Sequence, residues 1–216
     1  NPNSPSGTLL PLKEIERLVR NVSGVLVVDE AYIDFAETEA ASSLPLVRHF
    51  PNLIVLRTFS KSFSLAGMRI GLAFAPEEII SGLLKVKDSY NLNRLSITAA
   101  TAALHDREWM HRNVQRIQRS RERLAAGLKR MGFYVYPSHA NFLMAQKKDH
   151  DLKALYEALR SRKILVRYFD VAGLRDCLRI TVGTPREIQA LLKQMQIVET
   201  NQAQSYLEQR GTKWTG

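Results

Sequence analysis

The residues best suited to chemistry stand together in Thr58-Phe59-Ser60-Lys61-Ser62-Phe63-Ser64-Leu65-Ala66-Gly67-Met68-Arg69. A lysine set between small hydroxyls, eight residues before an arginine, suits an amine that carries a cofactor. The apolar run Leu53 to Leu56 precedes it and reads as a buried strand. Lys61 would then stand at that strand's carboxyl end, where open α/β sheets place their ligands. Asp29 and Glu30 close a second such run, Val25 to Val28, and read as a solvated cap or as metal ligands. No histidine pair at ligand spacing accompanies them, which argues against a metal. Asn3-Ser4-Pro5-Ser6-Gly7 has the composition of a turn. Taken alone, a lysine in a polar loop is an ordinary solvated side chain, so its meaning depends on what surrounds it.

The elements that would position these groups follow from periodicity. Pro11 opens a predicted helix whose Leu12, Ile15, Leu18 and Val19 share a face up to Asn21. A strand over 25–28, a short helix over 44–50 and a strand over 53–56 come next. After Lys61 the pattern predicts a strand over 70–75, a helix from Pro76 to about Val86 and another over 96–104. Helix and strand alternate as in a parallel sheet with crossovers. His105-Asp106 marks a break. A long amphipathic helix then carries Met110, Val114, Ile117, Leu124, Leu128 and Met131 on one stripe, and Gly132 stops it. Beyond it lie short strands and a helix, at 133–136, 142–145, 152–159, 164–166 and 178–182, then a last helix from Pro185 to about Ile197. The chain therefore divides into a large-domain part (1–105), a small α+β domain entered by the long helix (106–198) and a polar tail (199–216) expected to be peripheral or disordered.

The composition of the 216 residues, 45% hydrophobic and 24% charged, is that of an ordinary globular protein. No apolar run approaches a membrane span of roughly 20 residues. Much of the net charge of +10 lies in Arg107, Arg112, Arg116, Arg119, Arg121, Arg123, Lys129 and Arg130 of the long helix. This reads as a solvated face that would also attract anionic ligands. It does not read as a nucleic-acid surface, because no recognised nucleic-acid motif accompanies it. Cys177 is the only cysteine, so no internal disulfide forms, a reducing compartment fits, and beside the strand 178–182 the thiol reads as packed.

Four segments in order, Asn3 to Gly7, Val28-Asp29-Glu30-Ala31-Tyr32-Ile33-Asp34-Phe35, Arg57 to Arg69 and Cys177-Leu178-Arg179-Ile180-Thr181-Val182-Gly183, resemble the fold type I aminotransferases that use pyridoxal 5′-phosphate (PLP), and among them the histidinol-phosphate aminotransferases. The resemblance runs from residue 1 to about 198. It implies an α/β fold: part of the fold type I large domain, a mostly parallel sheet with helices on both faces, followed by a small C-terminal α+β domain.

It also implies a role for each matching position. Lys61 would form the aldimine with the cofactor and serve as nucleophile and base. Asp29 would keep the pyridine nitrogen protonated, making the ring an electron sink. Tyr32 would hydrogen-bond the cofactor's 3′-oxygen, and Asn3 would contact it from the opening turn. Ser60 and Arg69, with Thr58, would hold the cofactor phosphate. Arg179, and Arg167 as a second contact, would receive the anionic end of the substrate. The family has asparagine directly before its Pro-Thr-Gly, where this chain has Ser4, with Asn3 one place earlier, so Ser4 is the alternative contact.

The family's glycine-containing phosphate loop, ring-stacking aromatic and amino-terminal arm have no counterpart here, so the chain is expected to correspond to the C-terminal portion of a longer polypeptide. A sheet without its opening strands would leave apolar edges exposed. The resemblance implies a cytoplasmic homodimer, without nucleic-acid or membrane partners, that transfers the amino group of histidinol phosphate to 2-oxoglutarate in histidine biosynthesis with ping-pong kinetics. An aromatic amino-acid aminotransferase or a threonine-phosphate decarboxylase on the same scaffold remains open, as does a basic, non-catalytic binding module.

Overall fold

The computed structural model describes residues 1–148 and 150–211. They form two compact units, one of Asn1–Arg116 with Ser138–Ala140 and one of Ile117–Pro137 with the chain from Asn141 on. The division falls inside a single helix.

In the first unit, helix α1 (Leu12–Asn21) leads into strand β1 (Leu26–Asp29), followed by β2 (Leu53–Thr58) and β3 (Gly71–Phe74). The sheet order is β1-β2-β3. β1 and β2 run parallel with Asp29 opposite Leu56, so both carboxyl ends lie on one edge. Expectation and structure part at β3, which pairs antiparallel with β2. A parallel return needs a crossover, usually helical, whereas residues 59–70 hold only a tight loop and a 3-10 turn at Ala66–Met68.

The β1–β2 crossover likewise consists of 3-10 turns at Ile33–Phe35, Glu39–Ala41 and Leu44–Arg48. The short helix expected over 44–50 is the last of these, ended after five residues. Ile15 and Val19 of α1 pack on Val28, Leu53 and Val55, the inward residues of one sheet face. Val27 and Leu72 remain exposed. Helices α2 (Glu77–Val86) and α3 (Arg94–His105) complete the unit with the start of α4 (Arg107–Arg130). Along α2 and α3 lie the apolar side chains Leu84, Val86, Leu95 and Ile97, all four more than half accessible.

Asn3 to Gly7 form a turn closed by Gly7 N–H donating to Asn3 O at 2.8 Å. Gly7 has φ +79°, and a Cβ there would fall 2.2 Å from Ser138 Oγ and 2.7 Å from Ser138 Cβ. Only glycine permits that backbone and that approach. His139 N–H donates to Gly7 O at 2.8 Å, and its Nδ1 meets Glu37 Oε2, so the segment 138–140 docks on the opening turn.

In the second unit, β4 (Tyr134–Val135), β5 (Phe142–Gln146), β6 (Arg167–Tyr168) and β7 (Cys177–Thr181) form an antiparallel sheet ordered β4-β5-β7-β6. Leu124 and Leu128 of α4, Leu155 and Leu159 of α5 (Lys153–Ser161), and Ile188, Leu191 and Met195 of α6 (Pro185–Gly211) share its core. Two expectations are corrected. The strand expected at 164–166 is β6 at Arg167–Tyr168, because Lys163 turns left-handed (φ 61°) and Ile164 N–H returns to Leu159 O to close α5. The last helix passes Ile197 and continues to Gly211. Residues 212–216 of the expected tail lie outside the described residues.

The basic positions of α4 are exposed with one exception: Arg121 is 6% accessible and belongs to the buried side. Among the described residues no helix is long and apolar enough to cross a membrane.

α6 begins with a capping box. Thr184 N–H and Oγ1 donate to Glu187 Oε2 at 2.7 and 2.8 Å, and Glu187 N–H donates back to Thr184 Oγ1 at 3.3 Å. These bonds hold the Glu187 carboxyl below its ordinary pKa, the Thr184 backbone N–H first. The stabilisation is therefore complete above the ordinary glutamate pKa and lost as pH falls through the lowered one. Thr184→Ala is expected to cost about 1 kcal/mol in urea unfolding at neutral pH, with the gap to wild type narrowing in acid. Gly7→Ala is expected to destabilise the first unit, measured as faster hydrogen exchange in residues 3–8 and 138–140.

Candidate active site

The edge formed by the carboxyl ends of β1 and β2 carries most of the polar residues singled out above. Asp29, the last residue of β1, is exposed, and its Oδ1 accepts from Ala31 N–H at 2.9 Å. Tyr32 follows at the entry to the first 3-10 turn. Lys61 lies beyond β2, with Nζ 5.1 Å from the centroid of the Tyr32 ring, within cation–π range. The Lys61 side chain is half-buried, and among the described residues it has no carboxylate partner.

The loop around Lys61 is locally rigid. Ser60 N–H donates to Thr58 Oγ1 at 3.1 Å, and Thr58 Oγ1 donates to Ile70 O at 3.3 Å. Ser64 N–H closes on Lys61 O at 3.1 Å and Leu65 N–H on Phe59 O at 2.9 Å. Beneath it, Phe59 packs with Ile70 and with Ala100 of α3, and Ser96 Oγ of α3 donates to Met68 O at 2.8 Å. Thr58, Ser60 and Lys61 are thus brought together, with Tyr32 facing the amine.

Two expected residues are engaged locally. Arg69, left-handed at φ 56°, is exposed and donates through NH1 to Ala66 O at 2.8 Å. Asn3 donates through Nδ2 to Ser6 Oγ at 2.7 Å inside its own turn. In the second unit, Arg167 and Arg179 stand directly opposite each other on β6 and β7. Each guanidinium lies near an aromatic ring, Arg167 at 5.6 Å from Phe169 and Arg179 at 5.1 Å from Phe142. Both guanidinium groups therefore belong to neighbouring strands of one antiparallel ladder. Cys177 is buried, and burial followed by neighbouring Asp176 pushes its thiol up to about 12, as expected of a packed side chain.

The sequence reading assigned no role to a polar cluster just beneath this edge. Glu30 is 1% accessible. Its carboxylate accepts from Ser42 Oγ at 2.8 Å and from the backbone N–H of Ser43, and Arg57 Nε lies 2.9 Å away as a charge contact without hydrogen-bond alignment. Arg57 NH1 donates to Asp34 Oδ1 at 2.7 Å and NH2 to Ser42 Oγ at 3.0 Å. Ser62, 3% accessible, donates to Asp34 Oδ2. The available signal was an arginine directly after the apolar run 53–56, with two acids bracketing Tyr32.

Fold and site define a class: the chain belongs to the class I and II aminotransferase family, whose model matches residues 1–195. It is 47% identical over 193 residues to histidinol-phosphate aminotransferase 1 of Nostoc sp., covering 89% of this chain and 54% of that protein. It is 50% identical over 192 residues to the histidinol-phosphate aminotransferase of Syntrophotalea carbinolica, with the same coverage. Its fold is similar to the crystal structure of histidinol-phosphate aminotransferase from Sinorhizobium meliloti in complex with pyridoxal-5′-phosphate, with a TM-score of 0.85 and 28% identity over 93% of this chain and 56% of that one. The chain spans about half the length of the curated relatives it matches.

Removing Arg57 leaves Glu30 buried with its counter-charge gone, so Arg57→Met is expected to lower stability by on the order of 3 kcal/mol in chemical unfolding. Cys177 is expected to resist a thiol reagent at neutral pH in the native protein and to react on denaturation.

Proposed function

We propose that the intact protein is a PLP-dependent aminotransferase that takes the amino group of histidinol phosphate and passes it to 2-oxoglutarate in histidine biosynthesis. The observation that carries this reading is Lys61 over Tyr32, beyond the carboxyl ends of two parallel strands, in a chain of an aminotransferase family. The donor set fits the cofactor. A carboxylate at Asp29 suits a protonated ring nitrogen, and the Tyr32 phenol and Asn3 amide suit a ring oxygen. The Thr58 and Ser60 hydroxyls with the Arg69 guanidinium suit a phosphate, and Lys61 supplies the amine. When bound, PLP supplies a ring that takes up the electron pair left at the substrate's α-carbon as its proton departs.

The chain's own residues do the rest. Lys61 Nζ would accept the α-proton, and the Tyr32 ring, 5.1 Å away, would steady the ammonium that results. Asp29 is kept oriented by the Ala31 N–H. Arg167 and Arg179 hold the substrate's anionic end, and a guanidinium's paired donors fix its orientation as well as its position. Two half-reactions on one lysine give ping-pong kinetics. In this reading residues 1–105 are the C-terminal part of the PLP-binding large domain and 106–198 the small domain. The enzyme is a cytoplasmic homodimer, as the family's shared sites imply.

Borohydride reduction of the intact protein with PLP, followed by peptide mapping, is expected to leave a pyridoxyl group on the Lys61 peptide of wild type and none in Lys61→Ala. Among histidinol phosphate, phenylalanine, tyrosine and threonine phosphate, histidinol phosphate is expected to give the highest kcat/KM for half-transamination. A preference for an unphosphorylated amino acid would overturn the substrate while leaving the transaminase class. Arg179→Gln is expected to raise KM about tenfold with a smaller change in kcat.

A further inference from the structure

Lys61 is half-buried with its amine over the Tyr32 ring, and where that amine stands depends on where its backbone is held. That backbone is held from within by the Ser64 N–H to Lys61 O and Leu65 N–H to Phe59 O bonds. Neither bond relates Lys61 to β1. The bond that does so comes from its neighbour: the buried Ser62 hydroxyl donates to Asp34 Oδ2. Asp34 lies in the 3-10 turn that Tyr32 opens, with Phe35 N–H bonded to Tyr32 O at 3.1 Å. The residue after Lys61 is thus tied to a residue one turn from Tyr32.

The anchor is itself fixed. Asp34 Oδ1 takes Arg57 NH1 at 2.7 Å, and Arg57 is locked by Glu30 and by Ser42 Oγ. A carboxylate held by a guanidinium is a stiffer anchor than a solvated one, because charge-assisted bonds are stronger, and this pair is partly withdrawn from water. Arg57 also satisfies the charge of Asp34, leaving the carboxylate to act on the loop as a fixed acceptor.

We propose that Ser62 is a positioning residue for Lys61: through Asp34, clamped by Arg57 and buried Glu30, it sets where the amine stands relative to Tyr32 and Asp29. The inference rests on the PLP reading above. It acts through geometry alone, since Ser62 Oγ is bound to Asp34 and faces no reacting atom. Because reacting groups displaced by about 1 Å can lose roughly a hundredfold in rate, a hydroxyl that fixes the lysine's backbone can matter to turnover while contributing little to stability.

The test compares the intact PLP-loaded protein with Ser62→Ala, Ser62→Thr and Asp34→Asn. Ser62→Ala is expected to load PLP on Lys61 fully by borohydride trapping and to melt within a few degrees of wild type. It should shift the pH midpoint of the bound cofactor's absorption band and slow the half-reaction about tenfold, with KM within twofold. Ser62→Thr, which keeps the hydroxyl, is expected to restore midpoint and rate, and Asp34→Asn to shift both in the same direction as Ser62→Ala. A fully loaded Ser62→Ala with wild-type midpoint and rate would overturn the positioning role and leave the PLP reading standing. Wild type that carries no PLP on Lys61 would overturn both.

Discussion

Glu30, the first residue beyond β1, has almost no access to water. Leaving a carboxylate in such a place costs several kcal/mol unless partners replace its hydration. Here the partners come from two other stretches of chain: Ser42 and Ser43 in the crossover, and Arg57 near the end of β2. The end of β1, the crossover and the end of β2 must therefore meet at one point. Asp29 and Tyr32 flank that point in sequence, and Lys61 follows Arg57 by four residues, so satisfying one buried charge also determines where the candidate site's polar groups stand.

Apolar packing supports the polar edge from below. α1 covers Val28, Leu53 and Val55, which holds β1 and β2 in register. On the other side of the Lys61 loop, Phe59 and Ile70 bury against Ala100, and Ser96 ties α3 to the turn before Arg69. Oily contacts restrain this loop in bulk and hydrogen bonds orient it, a division of labour suited to a functional loop on a rigid base. The second unit shows a related economy. Its core is a conventional sheet against three helices, yet it tolerates two arginines facing each other across β6 and β7.

Element types were largely legible in the sequence because burial imposes a period: Ile15 and Val19 of α1, the α4 stripe and the apolar runs of β2 and β5 sit where helical spacing or alternation predicted them, whereas Leu18, Val25 and Val27 are exposed. Connections were less legible. Whether β3 returns parallel or antiparallel depends on what residues 59–70 can span, and whether 164–166 or 167–168 pairs with β7 depends on the left-handed stop at Lys163. The first is settled by pairing across the sheet and the second by a single backbone turn, and neither shows in apolar periodicity. At the site, Lys61, Asp29, Tyr32, Thr58 and Ser60 were recognisable as types in a pattern. The engagement of Arg69 with Ala66 O and of Asn3 with Ser6 was not, because short-range competitors for a hydrogen bond have no periodic signal.

The order of residues alone supplies the available chemistry: a lysine among hydroxyls after one strand, acids after another, and arginines towards the end of the chain. Local apolar periodicity also supplies most of the helices and strands that carry them, with β6 and its Arg167 the exception. That Arg57, Glu30, Asp34 and Ser62 form one connected cluster is a product of folding. Glu30 and Asp34 follow β1 while Arg57 and Ser62 lie at and after the end of β2, and nothing links these two stretches until β1 and β2 pair and the charge of Glu30 must be answered from whatever stands beside it.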